Sequence, residues 1–350
     1  MQDFYVIKVL FFATFAFLFT FSWTPLLTHF LYKYKLGKNI RNSGTTPLFS
    51  KMHLHKTGTP TMGGVLVWGT VLMFAAFFFY LAKFFPIDIF KNLNFLSRSQ
   101  TLLPLGALVA TALVGLLDDW LDVRKKGVFG GGGLNMIHRI LIYTVIAGVG
   151  AFWFYFKLDW TVLHIPFLGN FEIGWWYIPF FILVIVGTAF SVNEIDGLDG
   201  LAGGTLLVSY GAYGVIAFMM GRYDLAVFCG VIIGALIAFL WFNVIPARFY
   251  MGDTGAMSLG VTLGIIAMLT NYALLLPIIG FLFVLEAASV IIQLLSKRFR
   301  GGKKVFLSAP IHHHFEARGW PEAKIVMRFW IVAGITAAIG IILFLLDHTL

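Results

Sequence analysis

The chain has one cysteine in 350 residues, Cys229, and it lies inside an apolar run; no intramolecular disulfide can form and the thiol reads as plain packing. Charge is also scarce. Asp, Glu, Lys and Arg together make 12% of the residues, too little polar surface for an ordinary soluble domain of this length. No fixed-period repeat, low-complexity tail or separate polar domain interrupts the sequence. The first apolar run lacks a basic leader and a small-residue cleavage pattern and carries Asp3, so it reads as a mature span and not a signal peptide.

What the chain does have is hydrocarbon. Hydrophobic residues make 59% of it, and the mean hydropathy is +0.89. A helix rises about 1.5 Å per residue, so about 20 apolar residues cross about 30 Å of bilayer core. Ten segments reach that length: Tyr5 to Tyr32, Gly63 to Leu81, Leu102 to Leu117, Ile137 to Phe156, Trp175 to Val192, Leu201 to Met220, Leu225 to Ile245, Ala256 to Tyr272, Leu275 to Leu295 and Ile325 to Leu346. The eighth and ninth also read as one run broken around Pro277. The expected fold is therefore an all-α polytopic membrane protein of ten transmembrane helices, a single integral-membrane domain over residues 1–350. A small hairpin is expected between Leu158 and Phe171, around Gly169-Asn170.

Basic residues set the orientation, because loops rich in Lys and Arg stay in the cytoplasm. All but six of the 25 lysines and arginines (Lys8, Lys83, Lys91, Arg98, Lys157 and Arg222) fall at loops that follow odd-numbered spans. Those loops are assigned inside, which puts both termini on the outer, periplasmic side and the hairpin on the outer face. The net charge of +9 then suits anionic lipid head groups and phosphorylated substrates, with no nucleic acid implied.

Every concentrated polar motif falls in one of the five inside loops. Lys51-Met-His-Leu-His-Lys56 precedes Thr57-Gly-Thr-Pro-Thr-Met-Gly-Gly64, whose hydroxyls and backbone N–H groups suit a phosphate, although glycines at a helix start also serve close packing. Asp118 and Asp119 end the third apolar run, where two adjacent carboxylates repel and lose solvent. Holding Mg²⁺ or taking a proton would use such a pair; a water-exposed helix end would explain it more simply. Asp196 and Asp199, three apart, would share a face at a helix start. Asp253 is flanked by Gly252 and glycine-rich sequence that lets it point into a cleft as a metal ligand. Ala309-Pro-Ile-His312-His313-His314 lies between two apolar segments and is expected in a loop, as a catalytic or metal-binding cluster. Glu286 sits within the ninth span, as a functional acid or as a protonated group bonded between helices.

Carboxylates, histidines and basic residues on one face of a membrane bundle suit phosphoryl transfer between a soluble nucleotide compound and a lipid, which needs positioning and charge neutralisation more than covalent help. The motifs Thr59-Pro-Thr-Met-Gly-Gly64, Asp118-Asp119, Asn193 with Asp196-Gly-Leu-Asp-Gly200, Trp241-Phe-Asn243, Met251-Gly-Asp253, Ala309-Pro-Ile-His-His-His314 and Gly319-Trp-Pro-Glu322 run in order along the whole chain. In this the sequence resembles the phospho-N-acetylmuramoyl-pentapeptide transferase (MraY) family, within the polyprenyl-phosphate N-acetylhexosamine-1-phosphate transferase superfamily. The triple histidine separates that family from its sugar-phosphate relatives.

The resemblance implies transfer of phospho-MurNAc-pentapeptide from UDP-MurNAc-pentapeptide to undecaprenyl phosphate with Mg²⁺, giving lipid I and UMP, at the bacterial cytoplasmic membrane, in a homodimer. Carried onto this chain, it makes Asp253 the Mg²⁺ ligand and Asp118 the group that deprotonates or orients the lipid phosphate, with Asp119 beside it. It places Asn193, Asp196, Gly197, Leu198 and Asp199 along the cleft, Lys56, Asn243 and Tyr250 at the nucleotide, and His312, His313 and His314 on the sugar-peptide or phosphate side. Two positions depart from the family's pattern: Asp122 stands where a Lys is common, and Arg139 replaces a Lys near the start of the fourth span. The rival readings are a sister transferase taking UDP-N-acetylglucosamine, toward which Asp122 leans, and an ion-coupled transporter, which would need midplane acids and related halves.

Overall fold

The structure, a computed structural model, describes residues 2–37, 58–124 and 133–349. It is a helical bundle. The long helices are α1 (Gln2–Lys33), α2 (Val65–Phe84), α4 (Leu102–Val123), α5 (Met136–Lys157), α6 (Tyr177–Ile195), α7 (Leu201–Met219), α8 (Tyr223–Asn243), α9 (Gly252–Leu269) and α13 (Glu322–His348). Among the described residues, nine helices have the length and apolarity to cross a membrane. The segment Ala273–Ile279, ending in the short α10 (Leu276–Ile279), meets α11 (Phe281–Phe299) at an angle of 82°, and the bent pair taken together is long and apolar enough to count as one further span. The break therefore falls at Gly280, inside the ninth segment; the eighth ends cleanly at Leu269 and is not continuous with it. Pro277 lies in the first turn of α10, where its missing N–H removes no helical bond. Short helices α3 (Asp88–Leu93) and α12 (Ile311–Ala317) complete the helical set.

The bundle is layered by how apolar residues are shared with lipid. α9 is the inner column: 94% of its spanning window is buried, and it packs on α4 and α6. Its small residues Gly, Ala, Ser and Thr allow that approach, because helices in a membrane associate by contact and not by expulsion of water. Gly115 of α4 shows how close the approach is, since a methyl group there would lie 2.4 Å from the Asp253 carbonyl oxygen. The peripheral helices are the reverse. In α1 only 22% of the window is buried, in α5 and α13 28%, and large side chains such as Leu26, Ile137 and Ile331 face outward, as lipid-exposed helices require.

The hairpin forms from β1 (Val162–Ile165) and β2 (Gly169–Glu172), antiparallel, with His164 opposite Asn170. Gly169-Asn170 is thus in the second strand, and the turn is made by Pro166, Phe167 and Leu168, with Phe167 at a φ of 67°. The hairpin, Asn271, Tyr272 and the end of α13 share one end of the bundle; the motif-bearing segments gather at the other.

Candidate active site

The site is assembled around the first turn of α9. A helix N-terminus has unsatisfied N–H groups and a partial positive charge. Here both are met by a side chain from α4: Asp119 accepts from the backbone N–H of Asp253 at 3.1 Å and of Thr254 at 3.0 Å. It also accepts from the Thr61 hydroxyl at 3.0 Å, so the carboxylate joins three segments and is 4% exposed. Gly252, at a φ of 74°, makes the entry to α9, and a side chain there would run into Thr61 and Asp119. Asp119 is thereby the clamp that aims its neighbours.

Asp118, next in line on α4, points to a different group. Its carboxylate accepts from the Leu134 backbone N–H, and its Oδ2 lies 2.9 Å from Arg139 Nη2. The same guanidinium nitrogen lies 2.8 Å from Asp253 Oδ2, while Arg139 Nη1 donates to Asn193 Oδ1 at 2.7 Å. Asn193 closes the ring by donating Nδ2–H to Asp253 Oδ1 at 2.7 Å. Two carboxylates and an amide from α4, α6 and α9 therefore converge on one cation from α5. Arg139 is a site residue that sequence reasoning noted only as a departure; a lone cation at the start of an apolar span was the signal for it. Its planar fork does what a Lys point charge does not, spanning both Asp118 and Asn193 while touching Asp253.

The histidines stand on α12, a short helix and not an open loop. His312 is fully buried and its Nδ1 lies 3.0 Å from Oε2 of Glu286, itself fully buried in α11. The intramembrane acid thus has a named partner. His313 Nδ1 lies 2.6 Å from Glu316 Oε2, and the two imidazole rings are 4.0 Å apart. Burial by itself would push the His312 imidazole down, but the carboxylates of Glu286, Glu316 and Glu194 together outweigh it and raise it above the ordinary histidine value. His314 turns away, accepting from the Leu307 backbone N–H at 3.1 Å.

The turn from Asp196 to Gly200 joins α6 to α7, so Asp196 and Asp199 do not share a helical face: Asp196 caps the end of α6 and Asp199 lies in the turn. Asp199 accepts from the Ala247 N–H at 3.0 Å, and its own N–H donates to Glu322 at 2.8 Å. Asn243 is a tie of the same kind, accepting from the Gly200 N–H at 3.0 Å and donating to the Phe249 carbonyl at 2.8 Å. Tyr250 holds the Pro60–Gly63 entry through its backbone, donating to Pro60 at 2.8 Å and accepting from Gly63 at 2.8 Å. Gly197 packs directly against His312 and His313, with Leu198 buried beside it. Lys56 lies outside the described residues.

An apolar groove of about 430 Å³ runs between α6 and the broken α10–α11 pair, from Pro277 and Gly280 along Phe283 and Ala287 to Ser191, two residues before Asn193. Among the described residues no three His, Cys, Asp or Glu side chains form a ready metal cage. A cation site for Mg²⁺ does not need one, because Mg²⁺ keeps several waters and takes one or two carboxylates with substrate phosphates. Asp118 Oδ2 and Asp253 Oδ2, both facing Arg139 Nη2, are hard oxygens suited to that ion.

Residues 101–271 match the model of Glycosyl transferase family 4. The chain is 38% identical to the phospho-N-acetylmuramoyl-pentapeptide-transferase of Chloroflexus aggregans, over 97% of this chain and 90% of that protein. It is 38% identical to the enzyme of the same name from Geobacillus thermodenitrificans, over 93% of this chain and 94% of the relative, and 36% identical to that of Listeria monocytogenes, over 93% and 95%. With likeness of that extent over nearly the whole chain, the chain belongs to the phospho-N-acetylmuramoyl-pentapeptide-transferase family of membrane enzymes.

Proposed function

We propose that the protein transfers phospho-MurNAc-pentapeptide from UDP-MurNAc-pentapeptide to undecaprenyl phosphate, forming lipid I and UMP, with Mg²⁺, at the cytoplasmic face of the bacterial inner membrane. The observation that carries this reading is the convergence of Asp118, Arg139, Asn193 and Asp253 within hydrogen-bond reach, at the end of an apolar groove. A polyprenyl chain fits the groove by chemistry, and its phosphate then reaches the cluster from the lipid side. With that face inside, as the basic loops argue, both termini are periplasmic. The partner set is completed by membrane lipid and a second copy of the chain in a homodimer.

Asp253, with Asp118 beside it, would hold the Mg²⁺, which supplies neutralisation of diphosphate charge when bound. Asp118 orients the lipid phosphate or takes its proton: its Oδ1 is held by the Leu134 N–H, and its Oδ2 faces the same Arg139 nitrogen as Asp253. Arg139 sits where the diphosphate oxygens of the donor and the phosphate of the acceptor must come together, and lowers the repulsion between them. Asn193 fixes Arg139 and Asp253 relative to each other, and Asp119 fixes the backbone that carries Asp253. His312, His313 and the Gly197-Leu198 backbone line the donor side, with Asp196, Asp199, Asn243, Tyr250 and Lys56 completing its pocket, and His314 holds the Leu307 segment beside it.

The test is UMP release by purified protein from UDP-MurNAc-pentapeptide and undecaprenyl phosphate, with and without Mg²⁺, beside Asp253→Ala and a parallel reaction with UDP-N-acetylglucosamine. Metal-dependent release from the muramoyl donor, lost in the variant, is the expected result. Release from UDP-N-acetylglucosamine alone would move the protein to the sister group.

A further inference from the structure

A carboxylate in the interior of a membrane helix is costly unless something answers it. Glu286 is fully buried in α11 and makes one side-chain hydrogen bond, from Oε2 to His312 Nδ1; its Oε1 has no partner. His312 is equally buried, and its Nε2 also has no partner. That free nitrogen lies against the turn after α6: a methyl group at Gly197 would sit 2.3 Å from His312 Nε2 and 3.3 Å from His313 Nε2. Glu316 lies in the same way behind the Nδ1 of His313, at 2.6 Å. A pair kept only for packing would close its polar atoms, whereas this one ends on an open ring nitrogen at Gly197, in the turn that follows Asn193, the partner of Asp253. A carboxylate that accepts Nδ1–H sets which ring nitrogen is presented and how it is turned.

We propose that Glu286 is a positioning residue for the transfer reaction: by accepting the Nδ1 proton of His312 it holds the ring with Nε2 over Gly197, where Nε2–H donates to an anionic oxygen of the nucleotide-sugar donor. The inference rests on the function proposed above. The charged groups that face His312 are Glu286 from α11, Glu316 from its own helix and Glu194 from α6, all acidic, so an imidazolium in that place is compensated before any substrate arrives. No bond is made or broken by Glu286 itself. Its effect on the reaction passes through His312.

The experiment is a double-variant cycle in the full-length protein, with UMP release as one readout and hydrogen–deuterium exchange at the His312 ring carbon, followed by mass spectrometry against pH, as the other. Glu286→Gln keeps the shape and an acceptor for Nδ1–H but removes the charge; Glu286→Leu removes both. Glu286→Leu and His312→Gln are each expected to lower kcat/KM for the donor about 10²-fold, the scale of one lost transition-state hydrogen bond, and the double variant is expected to be no worse than His312→Gln alone. In Glu286→Gln the exchange midpoint of His312 should fall by about one pH unit or more. Multiplying losses in the double variant, or wild-type activity in Glu286→Leu, would overturn the proposal. Wild-type protein inert toward the muramoyl donor would sink the proposed function instead, and the exchange midpoint then decides this inference by itself: a midpoint unchanged in Glu286→Gln overturns it.

Discussion

Two imidazole–carboxylate pairs sit at opposite ends of the bundle and are built to different rules. At the hairpin end, His164 Nε2 lies 2.6 Å from Asp347 Oδ2, which also accepts from the Tyr272 hydroxyl at 2.7 Å; Asp347 Oδ1 accepts from the Phe167 N–H, and His164 Nδ1 meets Asn170 Oδ1 at 2.9 Å. Each polar atom there has a partner, and the network ties β1, β2 and the start of the broken span to the last turn of α13. At the other end, Glu286 Oε1, His312 Nε2 and Arg139 Nε are buried without a hydrogen-bond partner. Leaving a buried polar atom unmatched costs about 1–3 kcal/mol. The first region is a lock, and the second keeps capacity open for something to bind.

That contrast breaks most sharply at the carboxylates around Arg139. Asp253→Asn and Asp118→Asn should each lower transferase turnover by about 10³-fold or more while leaving the bundle folded, measured as UMP release beside thermal melting in detergent. A melting temperature that collapses with activity would make these residues part of the lock. Arg139→Lys is expected to lose less, about 10-fold to 10²-fold, because the charge survives but one ammonium cannot span Asp118 and Asn193 while touching Asp253; a kinetic comparison with Arg139→Gln, which should lose more, separates charge from geometry.

At the far end the expectation inverts. Asp347→Asn should destabilise the protein by about 1–3 kcal/mol, through the acceptors withdrawn from His164, Tyr272 and Phe167, with kcat and KM near wild type. The smallest effect is a pH dependence. His312 has a folded-state pKa above its ordinary value, so its pairing with Glu286 contributes stability that is fully present below about 6.5 and is lost as pH rises through the raised value. Melting temperature should decline with pH across that range in wild type and do so less in Glu286→Gln.

Much of the architecture was legible because lipid imposes a simple demand. A helix exposed to hydrocarbon must be apolar over its whole length, so nine spans and their approximate limits could be read from runs such as Ile137 to Phe156 or Ile325 to Leu346. A break was legible only as an alternative around Pro277; its place at Gly280 and its angle of 82° were not, since periodicity carries no angle. The hairpin was placed correctly but its turn was not: Gly169-Asn170 has the composition of a turn, and cross-strand pairing moved it to Pro166–Leu168.

The site divides in the same way. Asp118, Asn193, Asp253 and the histidine run stand out because polar residues at the ends of apolar spans are expensive and few. What each one does was decided by residues far away in sequence. Asp119 looks identical to Asp118 until Thr61 and the first turn of α9 claim both its oxygens. Asp199 and Asn243 also tie the backbone together, Asp199 through Ala247 and Glu322 and Asn243 through Gly200 and Phe249. Arg139 and Glu286 look like an exchanged cation and a stray acid until the fold sets one between two aspartates and the other behind His312. The sequence by itself determined that this chain lives in a membrane and gathers its chemistry at one end, because burial of charge is a local cost that composition reveals. Only the tertiary structure decided which of those groups clamp the backbone and which remain open, because hydrogen-bond partners are assigned by packing and not by proximity along the chain.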